Sequence, residues 1–324
     1  MVKDTIIFAL TASKELAKEI SMKTGAKLGN IKVDHFADGE ILVTPNETVR
    51  GRDVFIVQST YYPVTERLME VLVCIDALKR ASAGEITVFM PYFGYARQDR
   101  KAAAHQPITA KLVANLLQTA GANRIVTVDL HAAQIQGFFD IPIDDMTAVP
   151  LLADYFAAKQ YPAGDLVVVS PDHGGVVRAR RMAELLNAPL AIIDKRRPRP
   201  NEVMAENLIG DVDGKACVIV DDIVDTAGSL CAAAEMVRSY GAKEVFAAIT
   251  HGVLSRDALE KIEASALKEI VISDTIPMTE EKAARTTKVR QVSMADVLSE
   301  VLIAIVTHAS VANVYDKYNK RTGE

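Results

Sequence analysis

Short apolar runs alternate along the chain with longer segments in which apolar residues recur every three to four positions. The runs predict strands buried on both faces of a parallel sheet, since such strands are apolar throughout. They cover residues 5–10, 53–58, 85–90, 124–129, 166–169, 190–193, 216–220 and 244–250, and a further short strand is predicted at 41–43, after a turn at 35–40. The amphipathic segments predict helices at residues 13–20, 65–80, 109–120, 176–187, 229–240 and 297–315. Strands that alternate with helices form right-handed crossover units, so the pattern predicts an α/β fold with mostly parallel sheets flanked by helices.

Parts of this pattern repeat, which indicates two domains of one design. Residues 91–94 (PYFG) follow one predicted strand with the same proline–glycine spacing as residues 171–174 (PDHG) follow another. Residues 121–131 open with Gly-Ala and end on histidine, as do residues 241–251. A chain of 324 residues is also long enough for two domains.

The join between the domains is expected near residues 147–150, after which the pattern of strands and helices starts again. The first domain is therefore predicted to cover residues 1–148 and the second residues 149–296. The helix predicted at 297–315 is apolar on one face, and we expect it to pack back on the first domain.

Composition excludes several classes of protein. The formal net charge of −5 does not suit a protein that binds the nucleic-acid backbone, which needs a basic face. The three cysteines, Cys74, Cys217 and Cys231, have no metal or redox spacing, which is typical of a reducing compartment. No apolar run reaches the length of a membrane span or a signal peptide. We therefore expect a cytoplasmic protein with neither nucleic acid nor membrane as a partner.

The segment with the strongest chemical signal is residues 216–230, ACVIVDDIVDTAGSL. A buried strand is predicted to end at Asp221 and Asp222, and residues 225–229 then turn the chain into a helix. Such a turn offers backbone N–H groups and hydroxyls at a helix N-terminus, which is a phosphate site that needs no lysine. The two carboxylates suit ribose hydroxyls or a magnesium ion. A strand followed by an acidic N-capped turn is the alternative, and the full string disfavours it.

Two further segments could hold a nucleotide. Phe36, Asp38 and Glu40 lie in one tight turn, and Arg97 and Gln98 follow a predicted strand. An aromatic ring can stack on a base, and an arginine presents a fork for phosphate oxygens. A salt-bridged surface loop is the alternative on spacing alone.

The remaining candidates are histidines at strand ends and one basic loop. His131 and the Asp172-His173 pair follow predicted strands, where open α/β sheets place ligands, and could form a magnesium or phosphate site. Each histidine alone is more often a capping or core residue, and imidazole is an unusual magnesium ligand. Residues 195–197 (KRR) could be a flap that closes over a polyphosphate, or a solvated basic loop.

The chain contains neither a P-loop nor a dinucleotide-binding glycine motif. VDDIVDTAGS at 220–229 resembles the phosphoribosyl-diphosphate motif of the phosphoribosyltransferase fold family. Nearly the whole chain resembles the class I ribose-phosphate diphosphokinases, also called phosphoribosyl-diphosphate synthetases. The strings that carry this resemblance are FADGE (36–40), RGRDVFIVQST (50–60), DALKRASA (76–83), PYFGYARQDRK (91–101), VDLHAAQIQGFF (128–139), SPDHGG (170–175), KRR (195–197) and VDDIVDTAGS (220–229).

The resemblance implies two phosphoribosyltransferase-like domains and a homohexamer built from dimers. The implied reaction transfers the β,γ-diphosphate of ATP to the C1 hydroxyl of ribose 5-phosphate, with Mg²⁺ as cofactor and AMP as product. ATP would be held, partly across a subunit boundary, by Phe36, Asp38, Gly39, Glu40, Arg97 and Gln98. Magnesium would be held by His131 and Asp172. Ribose 5-phosphate would be held by Arg197, Asp221, Asp222, Asp225, Thr226, Ala227, Gly228 and Ser229. Lys195 and Arg197, in a catalytic flap at 194–207, would stabilise the transition state.

The chain departs from the family pattern in two stretches, residues 102–106 and 310–313. Both regions contribute to regulation by phosphate and ADP in the usual members, so we expect this chain to depart from ordinary phosphate activation and ADP allostery. Two other functions are compatible with parts of the sequence. A phosphoribosyltransferase that consumes the diphosphate would share residues 220–229 but would not need residues 36–40 or 195–197. A non-catalytic relative would not need Lys195, Arg197, His131 and Asp172 to be intact.

Overall fold

The computed structural model describes residues 2–196 and 205–319. Within them the chain forms two compact units. The first comprises residues 2–147, Thr275–Pro277 and Ser293–Asp316, and the second comprises Ala148–Asp274, Met278–Val292 and the residues from Lys317 onward. No helix in the described part of the chain is long and apolar enough to span a lipid bilayer.

The first unit contains a parallel sheet and a separate hairpin. Its strands are β1 (Ile6–Ala9), β2 (Lys27–Leu28), β3 (Ile31–His35), β4 (Ile41–Pro45), β5 (Val54–Val57), β6 (Ile86–Phe89), β7 (Arg124–Val128) and β8 (Ile143–Met146). Its helices are α1 (Lys14–Thr24), α2 (Val64–Arg80), α3 (Thr109–Ala120), α9 (Ala295–Val306) and most of α10 (Val311–Asn319). The sheet has the order β2-β1-β5-β6-β7-β8, with every pair parallel, and β3 and β4 form an antiparallel hairpin.

The second unit repeats the main sheet of the first with one added edge strand, β11. Its strands are β9 (Leu166–Ser170), β10 (Leu190–Arg196), β11 (Ala205–Ile209), β12 (Ala216–Val224), β13 (Glu244–Gly252), β14 (Leu267–Ser273) and β15 (Val289–Val292). Its helices are α4 (Val149–Ala157), α5 (Val176–Leu185), α6 (Gly228–Ser239), α7 (Ala258–Ala264) and α8 (Glu280–Ala283). The order is β11-β10-β9-β12-β13-β14-β15, and β10 and β11 are its antiparallel pair.

The central strands are apolar because helices cover both faces of each sheet. All four residues of β5 are buried, and so are the first five residues of β12. Phe55 of β5 meets Phe89 of β6 edge to face, with ring centroids 5.4 Å apart. This continuous burial confirms the α/β fold class that the short apolar runs predict.

The structure corrects three predictions about strand β12, the C-terminal helix and the polar stretch at 194–207. Strand β12 does not end at Val220 but continues to Val224, so the two aspartates lie within the strand. The C-terminal helix is not continuous from 297 to 315, because α9 ends at Val306 and α10 begins at Val311. The polar stretch 194–207 is not entirely loop, since its two ends pair as β10 and β11, with Lys195 opposite Glu206. Residues 197–204 lie outside the described part of the chain.

Both sheets reverse their strand order at one point, and this positions the candidate site. The first strand of each unit, β1 or β9, has its successor on one side and a later strand, β5 or β12, on the other. Ligands of open α/β sheets bind at the carboxyl ends of the strands beside such a switch point. In the second unit these ends carry residues 170–175 and 221–229.

Candidate active site

A carboxylate pair lies at the switch point of the second unit. Asp221 and Asp222 are neighbours on β12, and the Asp222 N–H donates to Oδ1 of Asp221 over 2.9 Å. Arg178, in the first turn of α5, places its Nη1 3.4 Å from Oδ1 of Asp221 and 3.3 Å from Oδ1 of Asp222. Asp222 is buried, whereas one third of the Asp221 side chain is exposed. The arginine therefore bridges an acid pair of which one member faces solvent.

This arrangement changes the protonation of the pair. Burial, followed by the hydrogen bond and the charge of Asp222, raises the pKa of Asp221 to about 7, and the Arg178 guanidinium opposes the rise. The two carboxylates thus compete for charge near neutral pH. A pair that shares a proton presents one O–H donor as well as several acceptor oxygens, and sugar hydroxyls can bond to both kinds of group.

Residues 225–227 connect β12 to α6, and together with the first helical residues, Gly228 and Ser229, they form the predicted phosphate loop. Helix α6 begins at Gly228, and Ala227 before it has a left-handed backbone with φ of 60°. A left-handed residue directly before a helix N-terminus allows neighbouring N–H groups to converge on an anion. A Cβ at Gly228 would meet no protein atom within 4 Å and its φ is not positive, so neither packing nor backbone requires glycine there. Close approach of a ligand would require it.

The loop after β9 holds Asp172 at the same edge of the sheet. Asp172 is exposed, and its Oδ1 accepts the Gly175 N–H over 2.9 Å, which fixes the carboxylate at the start of α5. His173 contacts the buried Asp194 of β10, with 2.8 Å between Nε2 and Oδ1. Lys195 follows Asp194 in β10, so this contact fixes the strand that leads to the predicted flap. Arg197 lies outside the described residues.

The predicted nucleotide-binding turn lies at the tip of the β3–β4 hairpin in the first unit. The Phe36 ring is 54 % exposed. The Gly39 N–H donates to the Phe36 carbonyl over 2.9 Å, and the Glu40 N–H donates to Oδ1 of Asp38 over 3.2 Å. Gly39 has φ of +93°, a backbone conformation that residues with a Cβ rarely adopt. The turn therefore presents an exposed aromatic ring beside two carboxylates.

The other first-unit candidates follow strands β6 and β7. Arg97 and Gln98 are exposed, and Oε1 of Gln98 accepts a hydrogen bond from the Thr109 hydroxyl over 2.5 Å. His131 is also exposed, three residues after β7 ends. His131 belongs to the first unit and Asp172 to the second, so their shared role in a metal site stays a prediction. Among the described residues, no three His, Cys, Asp or Glu side chains form a metal-binding group.

Sequence and structure comparisons bear on the identity of this site. Residues 5–121 match the N-terminal domain of ribose phosphate pyrophosphokinase, and residues 192–316 match the phosphoribosyl synthetase-associated domain. The chain is 53% identical over 310 residues to ribose-phosphate pyrophosphokinase 1 of Listeria monocytogenes, with 96% of each chain covered. It is 54% identical to ribose-phosphate pyrophosphokinase of Bacillus caldolyticus, with 96% of this chain and 97% of the relative covered. The chain belongs to the ribose-phosphate pyrophosphokinase family.

A solved structure of the family supports the fold along the whole chain. The crystal structure of phosphoribosylpyrophosphate synthetase from Mycobacterium smegmatis is similar to this structure with a TM-score of 0.88 and 42% identity. The likeness covers 95% of this chain and all of that one. It confirms the predicted family, fold class and enzyme class, a diphosphotransferase that forms phosphoribosyl diphosphate. The match extends through the first unit, which an enzyme that only consumes the diphosphate would not need.

The sequence interpretation missed some residues that shape the site. Arg178 was not proposed, although its place in the first turn of α5, six residues after Asp172, is a usable signal. Ser255 was also missed: its hydroxyl donates to Oδ1 of Asp225, and its N–H donates to the Asp225 carbonyl over 2.9 Å. Nothing in the spacing from Asp225 to Ser255 marks this contact, because a helix and a strand separate the two residues.

Proposed function

We propose that this chain transfers the β,γ-diphosphate of ATP to the C1 hydroxyl of ribose 5-phosphate. The products are 5-phosphoribosyl 1-diphosphate and AMP, and the reaction supplies nucleotide biosynthesis. The observation that carries the proposal is the acid pair of β12, followed directly by the phosphate loop at the start of α6. This order presents hydroxyl acceptors and phosphate donors side by side, as a pentose phosphate requires.

The pentose phosphate would bind entirely in the second unit. Asp221 and Asp222 would accept hydrogen bonds from the ribose hydroxyls, and Arg178 would hold both carboxylates in place. The residues of the loop would donate N–H and hydroxyl groups to the 5-phosphate; they are Asp225, Thr226, Ala227, Gly228 and Ser229. The positive end of α6 favours the same anion.

ATP would bind mainly through the first unit. The exposed ring of Phe36 offers a stacking surface for adenine, and Arg97 offers a guanidinium for phosphate oxygens. Gln98 is held by Thr109, which gives its side chain a defined direction. Asp38, Gly39 and Glu40 complete this set, with Gly39 allowing the turn that exposes them.

The residues proposed for magnesium fit that ion in part. The fixed carboxylate of Asp172 is the hard oxygen ligand that Mg²⁺ prefers, whereas the imidazole of His131 is less usual. Mg²⁺ usually keeps few protein ligands and binds substrate phosphates, which agrees with a set of only two residues. When bound, the ion would offset the charge of the triphosphate and favour transfer of its β,γ-diphosphoryl group.

The chain's own contribution to catalysis would be position and charge. The C1 hydroxyl attacks the β-phosphorus in line, and AMP leaves from the opposite side. Lys195 and Arg197 would neutralise the oxygens on which charge develops, so no covalent intermediate with the protein is needed. Lys195 lies at the end of β10, directly after the residue that His173 holds.

The test is to mix the protein with Mg²⁺, ATP and ribose 5-phosphate and to follow AMP and phosphoribosyl diphosphate by chromatography. The wild type should form both in equal amounts. Lys195→Ala should lower kcat by orders of magnitude with little change in the affinity for ribose 5-phosphate. ADP in place of AMP would contradict diphosphate transfer, and an equal loss of binding and turnover in the variant would contradict a transition-state role.

The assembly and regulation complete the proposal. We expect a cytoplasmic protein that forms a homohexamer built from dimers. Light scattering on purified protein can test the hexamer by its molar mass. Residues 102–106 and 310–313 depart from the family pattern. Phosphate and ADP titrated against the initial rate should therefore give responses unlike those of the usual members.

A further inference from the structure

The backbone carbonyls at the start of the phosphate loop all face one neighbouring segment, residues 253–261, which we name the brace. The Val224 carbonyl accepts hydrogen bonds from the N–H groups of Val253 over 3.0 Å and Leu254 over 3.1 Å. The next carbonyl, of Asp225, accepts the Ser255 N–H over 2.9 Å. Two consecutive peptide groups of the loop are therefore oriented by the first part of the brace.

Side chains of the brace extend this pattern. Nζ of Lys261 lies 3.4 Å from the carbonyl of Thr226 and 2.9 Å from Oδ1 of Asp257. The Ser255 hydroxyl donates to Oδ1 of Asp225, so this serine contacts both the backbone and the side chain of one loop residue.

These contacts determine where the loop's N–H groups point. In a trans peptide the C=O of one residue and the N–H of the next point in opposite directions. Carbonyls 224, 225 and 226 face the brace, so the N–H groups of residues 225, 226 and 227 face away from it. That is the side on which the loop would present donors to a phosphate.

The brace itself adopts an unfavourable backbone. Leu254 and Arg256 have φ of 49° and 56°, in the left-handed region that residues with a Cβ seldom occupy. The Leu254 side chain is buried in the core of the second unit, which holds the strained segment in place. Strain of this kind concentrates where a precise backbone geometry serves a ligand.

We propose that Ser255 is a positioning residue for the 5-phosphate of ribose 5-phosphate, acting through Asp225 and the backbone of the phosphate loop. It aligns the N–H groups of residues 225–227 before the substrate arrives, which lowers the ordering cost of binding. The inference rests on the proposed function, since it concerns the loop that would take the sugar phosphate.

Three variants test this role. Ser255→Ala removes the hydroxyl, Ser255→Thr keeps it, and Ser239→Ala is the matched control, because the Ser239 hydroxyl bonds only its own helix at the Met236 carbonyl in the described structure. Ser255→Ala should raise KM for ribose 5-phosphate roughly tenfold, as expected for loss of a hydrogen bond to a charged group. KM for ATP and kcat should stay within about twofold. Ser255→Thr should recover most of the affinity, and Ser239→Ala should match the wild type.

Calorimetric titration of ribose 5-phosphate without ATP separates this inference from the proposed function. If the wild type binds the sugar phosphate and Ser255→Ala binds it roughly tenfold more weakly, the positioning role is supported even where no AMP is formed. Equal affinity of the two proteins would overturn it. So would a variant in which kcat and both KM values worsen together with the melting temperature, since that is the signature of a general structural defect.

Discussion

The switch points of the two units have the same topology but opposite polar chemistry. In the first unit the buried carboxylate of Glu70, on α2, links the loops after β1 and β5 through hydrogen bonds. This carboxylate accepts hydrogen bonds from the Thr11 hydroxyl over 2.7 Å and from Nε2 of Gln58 over 2.8 Å. Oε1 of Gln58 in turn accepts a hydrogen bond from the Ala12 N–H over 2.9 Å. In the second unit the loop after β12 faces solvent, beside a pair of carboxylates that repel each other.

The difference shows that the same switch-point topology can stabilise the fold in one unit and form a candidate site in the other. In the first unit the carboxylate of Glu70 accepts the hydrogen bonds that loop donors could otherwise give to a bound anion. The polar groups there therefore stabilise the fold. In the second unit Asp221 and Asp222 crowd like charges that a more stable protein would avoid, which is typical of a binding site. Substitutions at the first switch point should therefore change stability, and those at the second should change substrate affinity and turnover.

The largest effect should come from Asp221→Asn. We expect kcat/KM for ribose 5-phosphate to fall by at least about a hundredfold, because an amide also presents donors to the sugar hydroxyls. The melting temperature at pH 8 should stay equal or rise, since the change removes a partly buried charge beside Asp222. Paired measurements of initial rate and thermal unfolding test this. A clear drop in melting temperature would show that Asp221 serves stability, and the contrast between the units would not hold.

The next effect should come from Gly228→Val in the phosphate loop. A Cβ there would meet no protein atom within 4 Å outside its own helix and chain neighbours, so the fold should tolerate a small side chain. The same side chain would occupy the space proposed for the 5-phosphate, and KM for ribose 5-phosphate should rise at least about tenfold, the loss expected for displaced charge-assisted hydrogen bonds. Gly137 of the first unit is equally open, which makes Gly137→Val the matched control. Equal KM values for the two variants would mean that the phosphate binds elsewhere.

The fold could be predicted from the chain because buried parallel strands carry a local signal. The runs at 53–58 and 85–90 each became a strand, since nearly every residue in them is apolar. Strands β14 and β15 were not predicted. In β14 a charged pair, Lys268 and Glu269, interrupts the apolar run near its start. The predicted end of β12 was wrong because aspartates are rare in strands, whereas this strand carries two of them.

The contacts that shape the site could not be predicted in the same way. Arg178, Ser255 and Glu70 each contact at least one residue that lies 30 or more positions away along the chain. Only folding brings such partners together, and a single sequence shows no pairing signal for them. The motif at 220–229 is readable because all of its parts are adjacent in the chain. Arg178 and Ser255, which contact the motif, are distant from it in the chain and could not be found in this way.

A smaller effect, on stability alone, should come from Glu70→Gln. The amide would turn an N–H₂ group toward donors from Thr11 and Gln58, leaving buried hydrogen bonds unmade at a cost of about 2 kcal/mol. The melting temperature should fall by roughly 5 °C, with KM for ribose 5-phosphate unchanged. Asp76→Asn on the same helix is the control, because its exposed pair with Arg80 contributes little. A selective rise in KM for the sugar phosphate would tie the first switch point to the site.

The smallest effect is a pH dependence that compares the wild type with Asp221→Asn. The pKa of Asp221 is raised to about 7 in the folded protein from an ordinary value of 3.8, so its proton favours the folded state. That contribution is complete below about pH 4 and is lost as pH rises through 7, whereas asparagine has no proton to lose. Without ligand, the melting temperature of Asp221→Asn minus that of the wild type should therefore grow between pH 4 and 7 and be constant above pH 8. We expect roughly 2–4 °C, because partial exposure of Asp221 weakens the charge penalty. A difference that is the same at every pH would mean that the acid pair does not compete for charge, and the second switch point would then be as well satisfied as the first.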